Sequence, residues 1–177
     1  MHRLFVAIRP PAGIRSRLLG LMGGVAGARW QNEDRLHLTL RFIGEVDRHL
    51  ARDVDAALAS VHHPAFEVAL DGLGVFDRKG ASATIWAGLA PADPLRSLHR
   101  KIDRALSRVG VEPDRRAFLP HITLARLPRG SGPIGSLIGE AGGAASPPFH
   151  VSEFRLYESR LLPDGPVYTP LECYSLG

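Results

Sequence analysis

The sequence contains a single cysteine, Cys173, and two lysines, Lys79 and Lys101, in 177 residues. One cysteine excludes an internal disulfide and any zinc site built on a cysteine pair. So close to the C-terminus it is expected as a small buried filler. No apolar run approaches the roughly 18 residues that span a bilayer. The opening MHRLFVAIRPP is stopped by Pro10 and Pro11, too early for the apolar centre of a signal peptide. It reads as a first strand, and the expected protein is cytoplasmic, without membrane attachment. The shortage of lysine leaves arginine as nearly all of the 22 basic residues, with a net charge of +4. A GC-rich genome accounts for that total. Individual arginines remain suited to planar, bidentate contacts with phosphate.

The composition that is present is ordinary. A 45% apolar and 23% charged chain is that of a globular protein rather than a disordered one. Its length supports one domain, residues 1–177, with a sizeable core. Short alternating or β-rich segments predict strands at Leu4–Ile8, Leu36–Phe42, Phe66–Leu70, Thr84–Gly88, His121–Leu127, Val151–Tyr157 and Val167–Leu171. One-sided apolar stripes predict helices over Ile14–Met22, Leu50–Val61 and Leu95–Val109, with a short fourth at Pro133–Glu140. Gly139–Pro148 is a loop by composition.

The order strand, helix, HxT strand, helix, FxV strand, hairpin occurs twice, with turns at Gly80 and Gly165. FVAIRPPAGIRSRL (Phe5–Leu18) resembles IWAGLAPADPLRSL (Ile85–Leu98). Phe66 and Val68 follow His37 at nearly the distance at which Phe149 and Val151 follow His121. The pattern points to an internal repeat, roughly Arg3–Ser82 and Ala83–Gly177. Two such units predict an α+β fold of two pseudo-symmetric lobes. Antiparallel sheets would line a central groove, with helices outside.

Each half writes His-x-Thr-Leu once, at His37–Leu40 and His121–Leu124. On a strand, residues two apart share a face. His37 and Thr39 therefore project together, as do His121 and Thr123, with aliphatic residues behind them. Eight histidines and few threonines yield roughly 0.2 such pairs by chance, so two in equivalent halves carry meaning. Two facing imidazoles suit general acid–base chemistry, because histidine titrates near pH ~6.5. Threonine hydroxyls hold phosphate oxygens without titrating, which suits the single charge of a phosphodiester. No carboxylate cluster accompanies the histidines, so no metal site and no cofactor are expected.

The residues resemble the 2H phosphoesterase superfamily, and in particular the bacterial RNA 2',3'-cyclic phosphodiesterases, also called the 2'-5' RNA ligase family. The resemblance is carried by RLFVAI, the RW at Arg29–Trp30, LHLTLRFIGEV, GVF, IWAGL, FLPHITLAR and LYESRLLPDGPVY. It implies metal-independent hydrolysis of a 2',3'-cyclic phosphate to a 2'-phosphate, with RNA or a nucleotide carrying that end as the partner. By this likeness His37 would be the proton donor and His121 the proton acceptor. Thr39, Thr123 and Arg126 would bind the phosphate. In a regular strand Arg126 faces away from His121, so it reaches the site only through a twist, a bulge or a strand end. Arg41, on the face of His37, is the alternative phosphate contact.

Ligation by the reverse reaction, a non-catalytic RNA-binding module and a small-nucleotide phosphodiesterase stand as alternatives. Phe42, Trp30 and Phe76 are expected as core packing rather than base platforms. His2, His49, His62, His63, His99 and His150 are expected at the surface or at element boundaries. A monomer is the expected state. The segments Gln31–Arg35 and Asp77–Ser82 are candidate groove loops.

Overall fold

A computed structural model describes residues 1–77, 82–141 and 144–177. The turn expected at Gly80, most of the Asp77–Ser82 loop and the centre of Gly139–Pro148 lie outside them. The fold is α+β, as the sequence predicts. The strands are β1 (His2–Ile8), β2 (Arg29–Trp30), β3 (Leu38–Val46), β4 (Phe66–Asp77), β5 (Ala83–Ala90), β6 (His121–Leu127), β7 (Phe149–Val151), β8 (Glu153–Leu162) and β9 (Gly165–Ser175). The helices are α1 (Ala12–Gly20), α2 (Arg48–Ala59), α3 (Asp93–Arg108) and α4 (Gly135–Ala141), and a 3-10 turn spans Glu33–Arg35.

The strands form one antiparallel sheet in the order β7-β4-β5-β6-β3-β1-β8-β9, and β2 pairs with β6. The two His-x-Thr-Leu strands are therefore neighbours at the centre. They meet through a single register pair, Leu38 opposite Ile122. The two FxV segments also pair with each other, Phe66 opposite Val151 and Val68 opposite Phe149. The strand predicted at Val151–Tyr157 is split at Ser152. Its first part becomes β7 on β4, and the rest becomes β8 beside β1. The two-residue β2 was not predicted, being too short to show alternation.

Helix starts follow their capping chemistry. The Asp47 carboxylate accepts from the Leu50 amide at 2.8 Å and caps α2, satisfying one of the four amides a helix start leaves open. Pro94 in the first turn of α3 needs no such partner. The stripe Leu95, Leu98, Ile102, Ala105 and Leu106 of α3 is buried, and α3 packs against β3 and α2. Leu38, Leu40, Ile122 and Leu124 lie in that same core. Each such side chain contributes about 1.5–3 kcal/mol by leaving water. The aliphatic face of the two central strands is thereby fixed inward, and the histidine face is left to the groove.

Candidate active site

His37 directly precedes β3 and His121 opens β6. Leu38 and Ile122 stand opposite each other in antiparallel strands. Carried one residue either way, that register sets His37 across from Thr123 and Thr39 across from His121. The four polar side chains form a square on the groove face, with the histidines on one diagonal.

Both rings are held the same way. His37 Nδ1 lies 2.7 Å from the Arg35 carbonyl, and His121 Nδ1 lies 2.7 Å from the Leu119 carbonyl. A carbonyl only accepts, so each Nδ1 carries the proton and each Nε2 is left for a ligand. Each ring also sits between two aromatics. His37 has Phe5 at 5.1 Å and the edge of Tyr168 at 5.1 Å. His121 has Phe76 at 5.0 Å and Trp86 at 6.1 Å.

The electrostatics differ. Burial lowers the His37 pKa to about 4, aided by the nearby charge of His121 and opposed by the Arg35 hydrogen bond. The imidazole of His37 is therefore neutral at pH 7 in the free protein. Tyr168 sits on this flank. Burial pushes its phenol up against the opposing charges of Arg126, Arg35 and Arg3, so the hydroxyl stays protonated.

The arginine question is answered by two bulges. Thr39 faces Ala7, but Arg41 faces Val6, so β3 carries one extra residue at Leu40. Leu40 and Arg41 are then both buried, the alternation reverses, and Arg41 turns under the sheet. Its Nε donates to Asp103 Oδ1 at 2.7 Å, and its other nitrogens donate to the carbonyls of Phe42 and Glu112. Arg41 is a buried structural arginine and not the alternative phosphate contact.

The same irregularity recurs in β6. Thr123 faces Trp86 and Ala125 faces Ile85, leaving Leu124 extra. Leu124 and Ala125 are both buried, and Arg126 emerges exposed on the face of His121 and Thr123. Its charge reaches Tyr168, and among the described residues it makes no ion pair. A bulge supplies what a regular strand could not.

Several other expectations are corrected. Phe42 is 58% exposed and Phe76 is 37% exposed, so neither is core packing. The bulge that buries Arg41 turns Phe42 outward, where it packs 6.1 Å from Phe5. Trp30 does pack against the core. His99 is buried rather than superficial, stacked 4.2 Å from Phe118 with Nδ1 on the Leu40 carbonyl, because α3 presents it with its apolar stripe. His63 is buried against Phe66. Cys173 is exposed, not a filler, since it lies on β9 facing the Glu153 carboxylate, to which its Sγ donates at 2.8 Å. Of the candidate loops, Gln31–Arg35 does border the groove. Sequence reasoning missed Phe5, Tyr157, Trp86 and Tyr168. Phe5 and Trp86 lie on the strands paired with the histidine strands, and only that pairing reveals them.

Among the described residues no three His, Cys, Asp or Glu side chains converge. No described helix is long and apolar enough to cross a membrane.

A groove floored by two strands with matched histidine–threonine pairs, under an α+β sheet, defines a 2H phosphoesterase. Within that class the chain belongs to the 2'-5' RNA ligase superfamily, whose family model matches residues 24–160. It is 35% identical to the RNA 2',3'-cyclic phosphodiesterase of Aeropyrum pernix over 78% of this chain and 81% of the relative. It is 31% identical to the protein of that name in Escherichia coli K12, over 99% of this chain and 97% of the relative. Among solved structures it resembles apo E. coli LigT with a TM-score of 0.79 and 29% identity, covering 99% of this chain and 97% of that one.

Proposed function

We propose that this phosphodiester hydrolase opens 2',3'-cyclic phosphate ends of RNA or nucleotides to the 2'-phosphate, using the two histidines as its acid and base. The observation that carries the reading is the matched Nδ1 anchoring of His37 and His121, which turns both Nε2 atoms to one groove beside two threonine hydroxyls. The relatives named RNA 2',3'-cyclic phosphodiesterase support the activity, as does a LigT structure with 3'-AMP, 30% identical.

In this reading Thr39, Thr123 and Arg126 hold the non-bridging phosphate oxygens. His121 Nε2 takes a proton from water as the water oxygen attacks phosphorus. The P–O3' bond breaks, and protonated His37 Nε2 gives its proton to O3'. One imidazole ends charged and the other neutral, so atoms and protons balance. Proton donation requires a charged His37, while burial keeps it neutral in the empty groove. An arriving phosphodiester anion favours the charged form, so substrate binding brings a proton with it. The donor is loaded by its own substrate.

The test is turnover of 2',3'-cyclic AMP in EDTA, with phosphorus NMR of the product. A 2'-phosphate, formed without metal and lost in His37→Ala and His121→Ala, is the expected result. Activity that disappears in EDTA and returns with added metal would sink the metal-free mechanism. A 3'-phosphate would overturn the assignment of the leaving oxygen.

A further inference from the structure

Helix α3 has two unlike faces. Its inner stripe is buried in the core. Its outer face carries Arg96, Arg100, Arg104 and Arg108, spaced four residues apart and all exposed. Residues four apart on a helix are neighbours on one face. The four guanidinium groups therefore form a single row about 18 Å long, at a rise of about 1.5 Å per residue. Lys101 lies beside the row, with Nζ donating to the His62 carbonyl at 2.6 Å. Arg96 has Asp93 at 3.7 Å. Among the described residues Arg100, Arg104 and Arg108 make no ion pair. Asp103, the acid in the middle of the helix, is taken by Arg41.

The basic surface continues past the helix end. Residues 109–120 fold back along α3 toward the groove. The Asp114 amide donates to Asp103 at 3.3 Å, Phe118 stacks on His99 one turn nearer the helix start, and the Leu119 carbonyl anchors His121. Arg115 and Arg116 are exposed on this return, beside one exposed acid, Glu112, and Asp114, which holds Arg116 at 3.4 Å. Cationic side chains thus lead from the back of the sheet to the rim where β6 begins.

We propose that this row is a second RNA-binding surface, outside the groove, which holds the phosphate backbone of a folded RNA whose cyclic end lies at the histidines. The choice of RNA as partner rests on the cyclic phosphodiesterase reading. A GC-rich genome explains how many arginines the chain has, but not their alignment. Exposed helix faces ordinarily mix signs, because like charges four apart repel. Three successive like-charged pairs burden the helix, and an anionic partner removes that burden. Arginine meets phosphate with a planar pair of donors, and contacts to a backbone read no sequence. The row and the histidines lie on opposite faces of the sheet, since α3 packs on the aliphatic side of β3. A mononucleotide in the groove therefore cannot touch α3, and an RNA reaches it only by passing the Arg115–Arg116 rim. Long and short substrates share the chemistry and differ in affinity.

The experiment measures fluorescence anisotropy of an RNA hairpin ending in a 3'-hydroxyl, titrated with the full chain across a salt series. It adds kcat/KM for 2',3'-cyclic AMP and for the same hairpin ending in a 2',3'-cyclic phosphate. The variant is R100Q/R104Q/R108Q, because glutamine is a good helix former. It should keep its Tm and its rate on 2',3'-cyclic AMP. Its slope of log Kd against log salt should flatten by about 2, at roughly 0.7–0.9 for each lost phosphate contact, and the hairpin's Kd and kcat/KM should each weaken by about 10-fold. Arg17→Gln combined with Arg129→Gln, which removes charge away from the row, should leave the slope as it is. A triple variant with wild-type hairpin affinity and slope would overturn the surface, and so would a control variant that loses as much per charge. Loss of binding to phosphatidylserine vesicles with hairpin binding intact would overturn it in favour of a membrane. Anisotropy needs no turnover, so a wild type that binds the hairpin through the row yet cleaves neither substrate would overturn the activity and sustain the surface.

Discussion

Strands β3 and β6 share a motif, a bulge and a way of pinning a ring, yet they enclose their histidines differently. His37 is covered by Phe5 and by Tyr168 from the C-terminal hairpin, and burial holds its pKa near about 4. His121 meets Phe76, itself 37% exposed, and the rim of Trp86. After the bulge the strands diverge again. At the matching position β3 offers Phe42 and β6 offers Arg126, while just before it β3 buries Arg41 and β6 buries Ala125. Identical backbone geometry therefore serves unlike tasks. One strand supplies a desolvated imidazole and an apolar rim, and the other supplies a wetter imidazole and an exposed cation.

The largest expected effect is loss of either imidazole. His37→Ala and His121→Ala should each lower kcat by about 10²–10⁴-fold, with circular dichroism unchanged. In the proposed mechanism the two act as a unit, so the double variant should be little worse than either single one. Additive losses in steady-state kinetics would show that they do not.

The two arginines should separate cleanly. Arg41→Ala removes the buried partner of a partly exposed Asp103 and leaves the carbonyls of Phe42 and Glu112 without their donor, which costs about 1–3 kcal/mol in urea unfolding, while turnover per folded molecule persists. Arg126→Ala should leave stability within about 0.5 kcal/mol and, on the proposed reading in which it holds the phosphate, raise KM. The opposite pattern would return Arg41 to the groove.

A third difference is acid sensitivity. The native pKa of His37 is depressed, so the unfolded chain takes up its proton first as pH falls. Stability is full above pH 6.5 and declines from there to about pH 4, by up to about 3 kcal/mol at 1.36 kcal/mol per unit. His37→Gln should remove that part of the slope in denaturation midpoints measured across this window. The smallest expected effect is Thr39→Val against Thr123→Val. On the proposed reading each removes one neutral phosphate donor of about 0.5–1.5 kcal/mol, seen in KM for 2',3'-cyclic AMP.

The sequence made the helices and central strands legible because their periodicities are clean. The stripe of α3 and the alternation of His121–Leu127 needed no tertiary information. The histidine–threonine pairs were visible for the same reason, with a period of two on a strand. The bulges were not legible. Leu40 and Leu124 look like ordinary inward residues, and only the pairing with β1 and β5 shows that each is one residue too many. That hidden residue decided Arg41 and Phe42 wrongly and left Arg126 in doubt. Tyr168 was out of reach for another reason. It lies 131 residues from His37, and it arrives there because β8 pairs with β1 and β9 follows, a long-range closure that no local pattern encodes.

The seam between the two halves has a mechanical consequence. β3 and β6 share one register pair, after which β2 takes over that edge of β6 at Arg29 and Trp30. Elsewhere the central sheet is laced by long ladders. The seam is thus the line of least stiffness, and it runs beneath the two imidazoles. Bending there changes their separation without unzipping either half. Amides at Leu38 and Ile122 should exchange with solvent sooner than those at the centres of β1 and β5, and should slow when a phosphodiester bridges the gap.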